Sequence, residues 1–210
     1  MRRMKMSERE GLRTWIEVDR KAIQHNFGVF RGLIPKKTKL MAVVKSNAYG
    51  HDLLQFSREM EKLGADFLGV DSITEARALR RAGVRLPILV LGYTCRELFT
   101  EAARDDVSLT VSTFETLSAI RKTKLPRPLK IHVKVDTGMH RQGFLPEDRQ
   151  KVLANLQLTT CNLQLQPEGL YTHFASAKNP AFPKDTREQI EEFRRWIAAW
   201  QRQPRSWKLR

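Results

Sequence analysis

LMAVVKSNAYGH, residues 40–51, is the stretch on which the reading of the whole chain turns. Its apolar residues from Leu40 to Val44 predict a buried strand, Lys45 stands where that strand ends, and Ser46, Asn47 and Gly50 supply the loop that follows. A lysine is thereby presented at the edge of a dry core. An amine beside apolar surface holds its proton poorly, and the neutral form is the one that attacks an aldehyde to form an imine. The alternative is a lysine that simply snorkels to water at a strand end.

Working outward, strand and helix patterns alternate. TWIEVD (14–19) reads as a short strand, and Asp19 caps a helix carrying Asn26, Phe27, Phe30 and Leu33, closed by Pro35. The first core strand spans 39–45, and the helix after it repeats Leu53, Leu54, Phe56, Met60 and Leu63 before Gly64. FLGVDS (67–72), PILVLGY (87–93), LTVS (109–112), KIHVKVDTG (130–138) and GLYTHFA (169–175) are further strands, each trailed by a helical pattern, the last of them spanning 186–200. This repetition predicts a parallel sheet covered by helices. No GxGxxG or GxxxxGK[ST] follows the first strand, so a barrel is favoured over a doubly wound sheet.

The expected fold class is therefore α/β, a (β/α)8 TIM-type barrel of which about six strand–helix units are present. Residues 1–13 read as a flexible basic N-terminus, 14–200 as a partial barrel domain, and 201–210, which include Pro204, as an irregular basic tail.

At 210 residues the chain is long enough to bury a core. Its hydrophobic fraction of 41% is ordinary for a globular protein, and no apolar run approaches the roughly 20 residues needed to cross a bilayer. No apolar segment follows the early positive charges, so there is no secretory signal and a cytoplasmic location is expected. Cys95 and Cys161 are far apart and belong to no ligand-spaced cluster, which argues against a disulfide framework or a metal site. The net charge of +15 is scattered through runs such as Arg77 to Arg85, without the interleaved aromatics of a nucleic-acid surface.

Functional groups in a barrel gather at the C-terminal ends of its strands, where Lys45, Arg141 and His173 fall. Taken alone, Arg141 reads as a solvated loop arginine and His173 as a core imidazole satisfied by a backbone carbonyl. Along IHVKVD, His132, Lys134 and Asp136 share one face, so Lys134 points into the lumen with Asp136 as an available partner.

AVVKSNAYGH (42–51) resembles the lysine segment of the alanine racemase family, and KVDTGMHRQGF (134–144) and GLYTHFA (169–175) also look like that family. The resemblance implies pyridoxal 5'-phosphate held at Lys45, with Tyr49 at its phosphate. It implies that Arg141 contacts the cofactor's phenolic oxygen and the substrate carboxylate, and that His173 packs beside the pyridine ring. Lys134 matches a lysine that many members carry as a carbamate. The implied activity is interconversion of L- and D-alanine, supplying D-alanine for peptidoglycan, in a homodimer whose second acid/base comes from the partner's C-terminal β domain. That domain is absent from this sequence, so the chain reads as truncated and activity from these residues alone is not expected. The alternative is a non-racemising pyridoxal-phosphate-binding barrel, although the lysine segment of such proteins differs from KSNAYGH. One departure stands out: the family usually has glycine where His140 lies, a position suited to unusual backbone angles.

Overall fold

In the computed structural model, which describes residues 11, 13–161, 165–203 and 207, the apolar runs become strands β1 (Met41–Val43), β2 (Phe67–Val70), β3 (Ile88–Val90), β4 (Val107–Val111), β5 (Leu129–Lys134) and β6 (Leu165–Tyr171). They form one six-stranded sheet in the order β1-β2-β3-β4-β5-β6. A doubly wound sheet reverses its strand order partway, whereas a barrel wall runs in sequence order, as here. The chain divides into two compact units, up to residue 88 and from residue 89, with the divide inside β3.

In the first unit, helix α1 (Arg20–Leu33) begins at Asp19, whose carboxylate accepts the Lys21 N–H at 2.7 Å. β1 pairs in parallel with β2, Met41 opposite Phe67 and Val43 opposite Gly69. A short turn, α2 (Lys45–Tyr49), leads to α3 (Leu53–Leu63), which stops at Gly64 in the left-handed conformation that glycine adopts freely. After β2, α4 (Ile73–Arg81) is capped by Ser72. Leu68, Val70, Ala76 and Leu79 are fully buried and hold β2 against α4. α1 differs from the sequence reading: none of its residues is buried, and Phe30 and Leu33 are exposed. It is tied down instead by Arg20, whose guanidinium meets the buried Glu59 carboxylate of α3 at 2.9 Å.

In the second unit, α5 (Phe99–Arg104), α6 (Phe114–Arg121), α7 (Arg149–Cys161) and α8 (Pro183–Gln201) alternate with the strands. Every residue of β4 is buried, and Leu109, Ile131, Val133, Ile120 and Leu156 form the core with Trp196 and Trp200 of α8. The β5–β6 register slips: Ile131 faces Pro167 but His132 faces Gly169, so Glu168 bulges out of the ladder. The close approach explains the glycine, because a Cβ at 169 would lie 2.2 Å from His132 Nδ1.

Three expected boundaries change. Residues 14–19 form no strand and belong to no described ladder of the sheet, and Trp15 and Ile16 stand exposed. β6 covers Leu165–Tyr171 rather than 169–175. Beyond Tyr171 the chain leaves the ladder: Thr172 bonds Thr137 through its hydroxyl at 2.8 Å, and the Ala175 N–H donates to Gln189 of α8. β1 is shorter than 39–45. The basic N-terminal residues 1–10 and Pro204 in the tail lie outside the described residues.

Candidate functional site

Lys45 lies two residues past β1, after Val44, and its surroundings are wetter than the apolar run suggested. Val44 is fully buried, but Val43 is 41% exposed and the Lys45 side chain 36%. The cause is position, since β1 is an end strand of the sheet with β2 as its one neighbour. The Lys45 ammonium lies 3.5 Å from Asp71 Oδ1, a long and solvated pairing that a reacting partner displaces at little cost.

The residues after Lys45 take an unusual path. Ser46, Asn47, Ala48 and Tyr49 all have φ between 52° and 55°, so α2 is wound left-handed. Each such L-residue costs about 1–2 kcal/mol, and the turn persists because surrounding bonds hold it. Ala48 N–H donates to the Val44 carbonyl at 2.8 Å, the Asn47 side-chain oxygen accepts the Leu53 N–H at 2.8 Å, and the Asn47 N–H donates to Glu75 Oε1 at 3.3 Å. Tyr49 emerges 61% exposed. It borders a cavity of about 600 Å³ between α1 and β1 that Lys45 does not line.

The second unit gathers Lys134, Asp136, Arg141, Gln142 and His173 around one small pocket. Asp136, buried and just past β5, accepts backbone N–H bonds from Gly138 (2.8 Å), Met139 (2.9 Å), His140 (3.1 Å) and Arg141 (3.1 Å). Burial alone would raise its pKa, but these N–H groups together outweigh that and hold it below 3.8. The carboxylate thus shapes the loop that presents Arg141. Gly143 closes that loop, and a Cβ there would meet the Asp136 nitrogen at 2.5 Å. His140 sits at φ 54°, the left-handed geometry anticipated where glycine is usual.

Lys134 is buried, as its luminal placement implied, but its partner is not Asp136. Its ammonium donates to Gln142 Oε1 at 2.9 Å, and Gln142 in turn donates to Ser112 at 3.2 Å. β5 ends at Lys134, so the strand alternation that would have aimed Asp136 alongside it does not continue. The ammonium also lies 5.7 Å from the Tyr171 ring centre. The Tyr171 hydroxyl bonds Thr110 Oγ1 at 2.8 Å, and burial pushes its pKa up to about 12 although the Thr110 bond and the Arg141 charge act to lower it. The Arg141 side chain is exposed and has no carboxylate within ion-pair distance among the described residues. His173 is exposed just beyond β6.

Sequence reasoning missed Gln142, Tyr171, Asp71 and Glu75. One signal was present for Glu75: Ser72-x-x-Glu75 is a helix-capping pattern. Among the described residues no cluster of His, Cys, Asp and Glu is placed to hold a metal ion, and no helix is long and apolar enough to cross a membrane. The Cys95 thiol is free, and the Cys161 side chain lies outside the described residues.

Strands in sequential order, each leading into a loop and helix, define a (β/α)-barrel-type domain, and Lys45, Arg141 and His173 lie on the segments that follow β1, β5 and β6. The family model described as alanine racemase, N-terminal domain, matches residues 18–209, and the chain belongs to that family. Alanine racemase 1 of Oceanobacillus iheyensis is 39% identical over 181 residues, which cover 85% of this chain and 47% of that protein. Alanine racemase of Methanococcus maripaludis is 43% identical over 171 residues, covering 79% and 44%. The crystal structure of alanine racemase from Bacillus anthracis with bound L-Ala-P superposes with a TM-score of 0.82 at 35% identity, covering 90% of this chain and 48% of that one. The chain thus spans about half the length of the relatives it matches.

Proposed function

We propose that this chain is the cofactor-holding part of an alanine racemase, with pyridoxal 5'-phosphate attached at Lys45. The observation that carries the reading is an accessible amine, weakly paired to Asp71, at the end of the first strand of a chain matched to this family from residue 18 to 209. The donor set fits the group: Lys45 is accessible and only weakly paired to Asp71, and Arg141 offers an exposed guanidinium to a phenolic oxygen or a carboxylate. Tyr49 would contact the phosphate and His173 would pack beside the ring. When bound, the pyridine ring acts as an electron sink that acidifies the Cα proton of an amino acid.

Lys45 Nζ then serves as the base that takes or returns the Cα proton on one face. Arg141 orients the alanine carboxylate through its planar fork. Lys134, held by Gln142 beside Tyr171, is the position at which a carbamate would form, replacing its ammonium by an anion that would position Arg141. Proton return on the opposite face requires a second acid, which none of these residues supplies, so the domain by itself binds cofactor and alanine without full turnover. Residues 14–200 make up this domain, acting in the cytoplasm and, in the complete enzyme, as a homodimer that supplies D-alanine for the cell wall.

The test is borohydride reduction of the cofactor-saturated protein followed by peptide mapping. A reduced pyridoxyl group on Lys45, lost in Lys45→Ala, is the expected result. An unmodified Lys45 in the saturated protein refutes the assignment.

A further inference from the structure

We infer that Glu75 is a positioning residue for Lys45, acting as a brace that holds the left-handed turn after β1 in place; the inference rests on the reading of Lys45 as the attachment lysine. Glu75 is the third residue of α4, and its own N–H donates to the Ser72 hydroxyl at 3.3 Å, the usual first half of a capping box. In such a box the glutamate side chain reaches back to the capping residue's N–H. Here the carboxylate goes elsewhere. Oε2 accepts the N–H of Asp71 at 2.8 Å, and Oε1 accepts the N–H of Asn47, from the preceding strand–helix unit, at 3.3 Å.

Both bonds bear on Lys45. Asn47 is the second residue of the left-handed run that starts at Ser46, immediately after the lysine. Its side chain is already committed to the Leu53 N–H, so the same residue is gripped at backbone and side chain from opposite directions. Asp71 is the residue whose carboxylate faces the Lys45 ammonium. One carboxylate therefore fixes both the turn that sets the direction of Lys45 and the residue that faces its amine. Runs of L-residues at positive φ relax toward right-handed geometry when the contacts that impose them are removed. Such a relaxation would swing the chain on either side of position 45.

The experiment compares the full chain carrying Glu75→Ala, Glu75→Gln or Ser72→Ala. Ser72→Ala removes the cap of α4 but leaves the carboxylate, so a Glu75 that only stabilises its own helix predicts that the two alanine variants behave alike. Two quantities are read: amide hydrogen exchange across residues 45–50 without cofactor, and the fraction of Lys45 labelled by borohydride at subsaturating pyridoxal phosphate. Loss of hydrogen bonds to a charged acceptor is expected to speed exchange in Glu75→Ala about tenfold, with a comparable drop in labelling. Glu75→Gln, which keeps one acceptor oxygen, falls between, and it carries the test if the alanine variant does not fold. Ser72→Ala stays at the wild-type level in both. Unchanged exchange or unchanged labelling in the Glu75 variants overturns the inference, as does a Ser72→Ala variant that matches Glu75→Ala. If the wild type takes no label at Lys45, the attachment reading fails, while the exchange data still decide whether Glu75 braces the turn.

Discussion

Replacing Asp136 by alanine removes one carboxylate and strands the backbone N–H groups of Gly138, Met139, His140 and Arg141 at once. A hydrogen bond to a charged acceptor is worth about 1.5–3 kcal/mol, but the groups do not count equally. His140 and Arg141 are exposed, so water replaces the lost acceptor there; Gly138 and Met139 are half-buried, and their bonds carry most of the loss. The expected destabilisation is about 2–4 kcal/mol at neutral pH. Asp136→Asn keeps an acceptor oxygen without the charge and should cost about half as much. The pH dependence has a definite sign. The folded pKa is lowered, so the contribution of Asp136 is fully present above the unfolded value of about 3.9 and is lost as pH falls through the folded value. Urea unfolding of the wild type and Asp136→Asn at a series of pH values reads this directly: the stability gap at pH 7 should narrow below about pH 4. A gap that does not change with pH, or an Asp136→Ala variant within about 0.5 kcal/mol of the wild type, would refute the claim that this carboxylate organises the Arg141 loop.

His140→Gly should stabilise the chain by up to about 1 kcal/mol, because glycine relieves the left-handed strain at φ 54° and returns part of it as unfolded-state entropy; a lower urea midpoint than the wild type contradicts this. Gly169→Ala should cost more than about 2 kcal/mol, since its Cβ would sit 2.2 Å from the buried His132 ring. His132→Ala in the same chain should recover part of that loss, and a double-mutant cycle showing strictly additive effects would mean that the ring is not what excludes a side chain at 169.

Much of the fold was legible because it rests on local rules. The Asp19 cap, the stop at Gly64, the helix from Phe114 to Arg121 and the alternation of strand with helix all depend on residues a few positions apart, and each appears in the structure where sequence places it. Lys45 at the end of β1 belongs to the same class of inference. The long-range pairings are of another kind. Gln142 rather than Asp136 holds Lys134, because β5 ends before Asp136 and the chain turns there. Glu75 meets Asn47 across 28 residues, and Tyr171 meets Thr110 across 61, contacts fixed only by strand register and by the bulge at Glu168. The exposure of Val43 and of α1's apolar residues has the same origin: an apolar residue is buried only where another element lies against it, and β1 has one neighbouring strand. Sequence alone determined the alternation of strand and helix from residue 39 onward and placed Lys45 near the end of the first strand, since short-range sterics and capping bonds dictate both. The tertiary structure decided the handedness of the turn after Lys45 and the partner of each buried charge, because those depend on atoms brought together by the packing of distant segments.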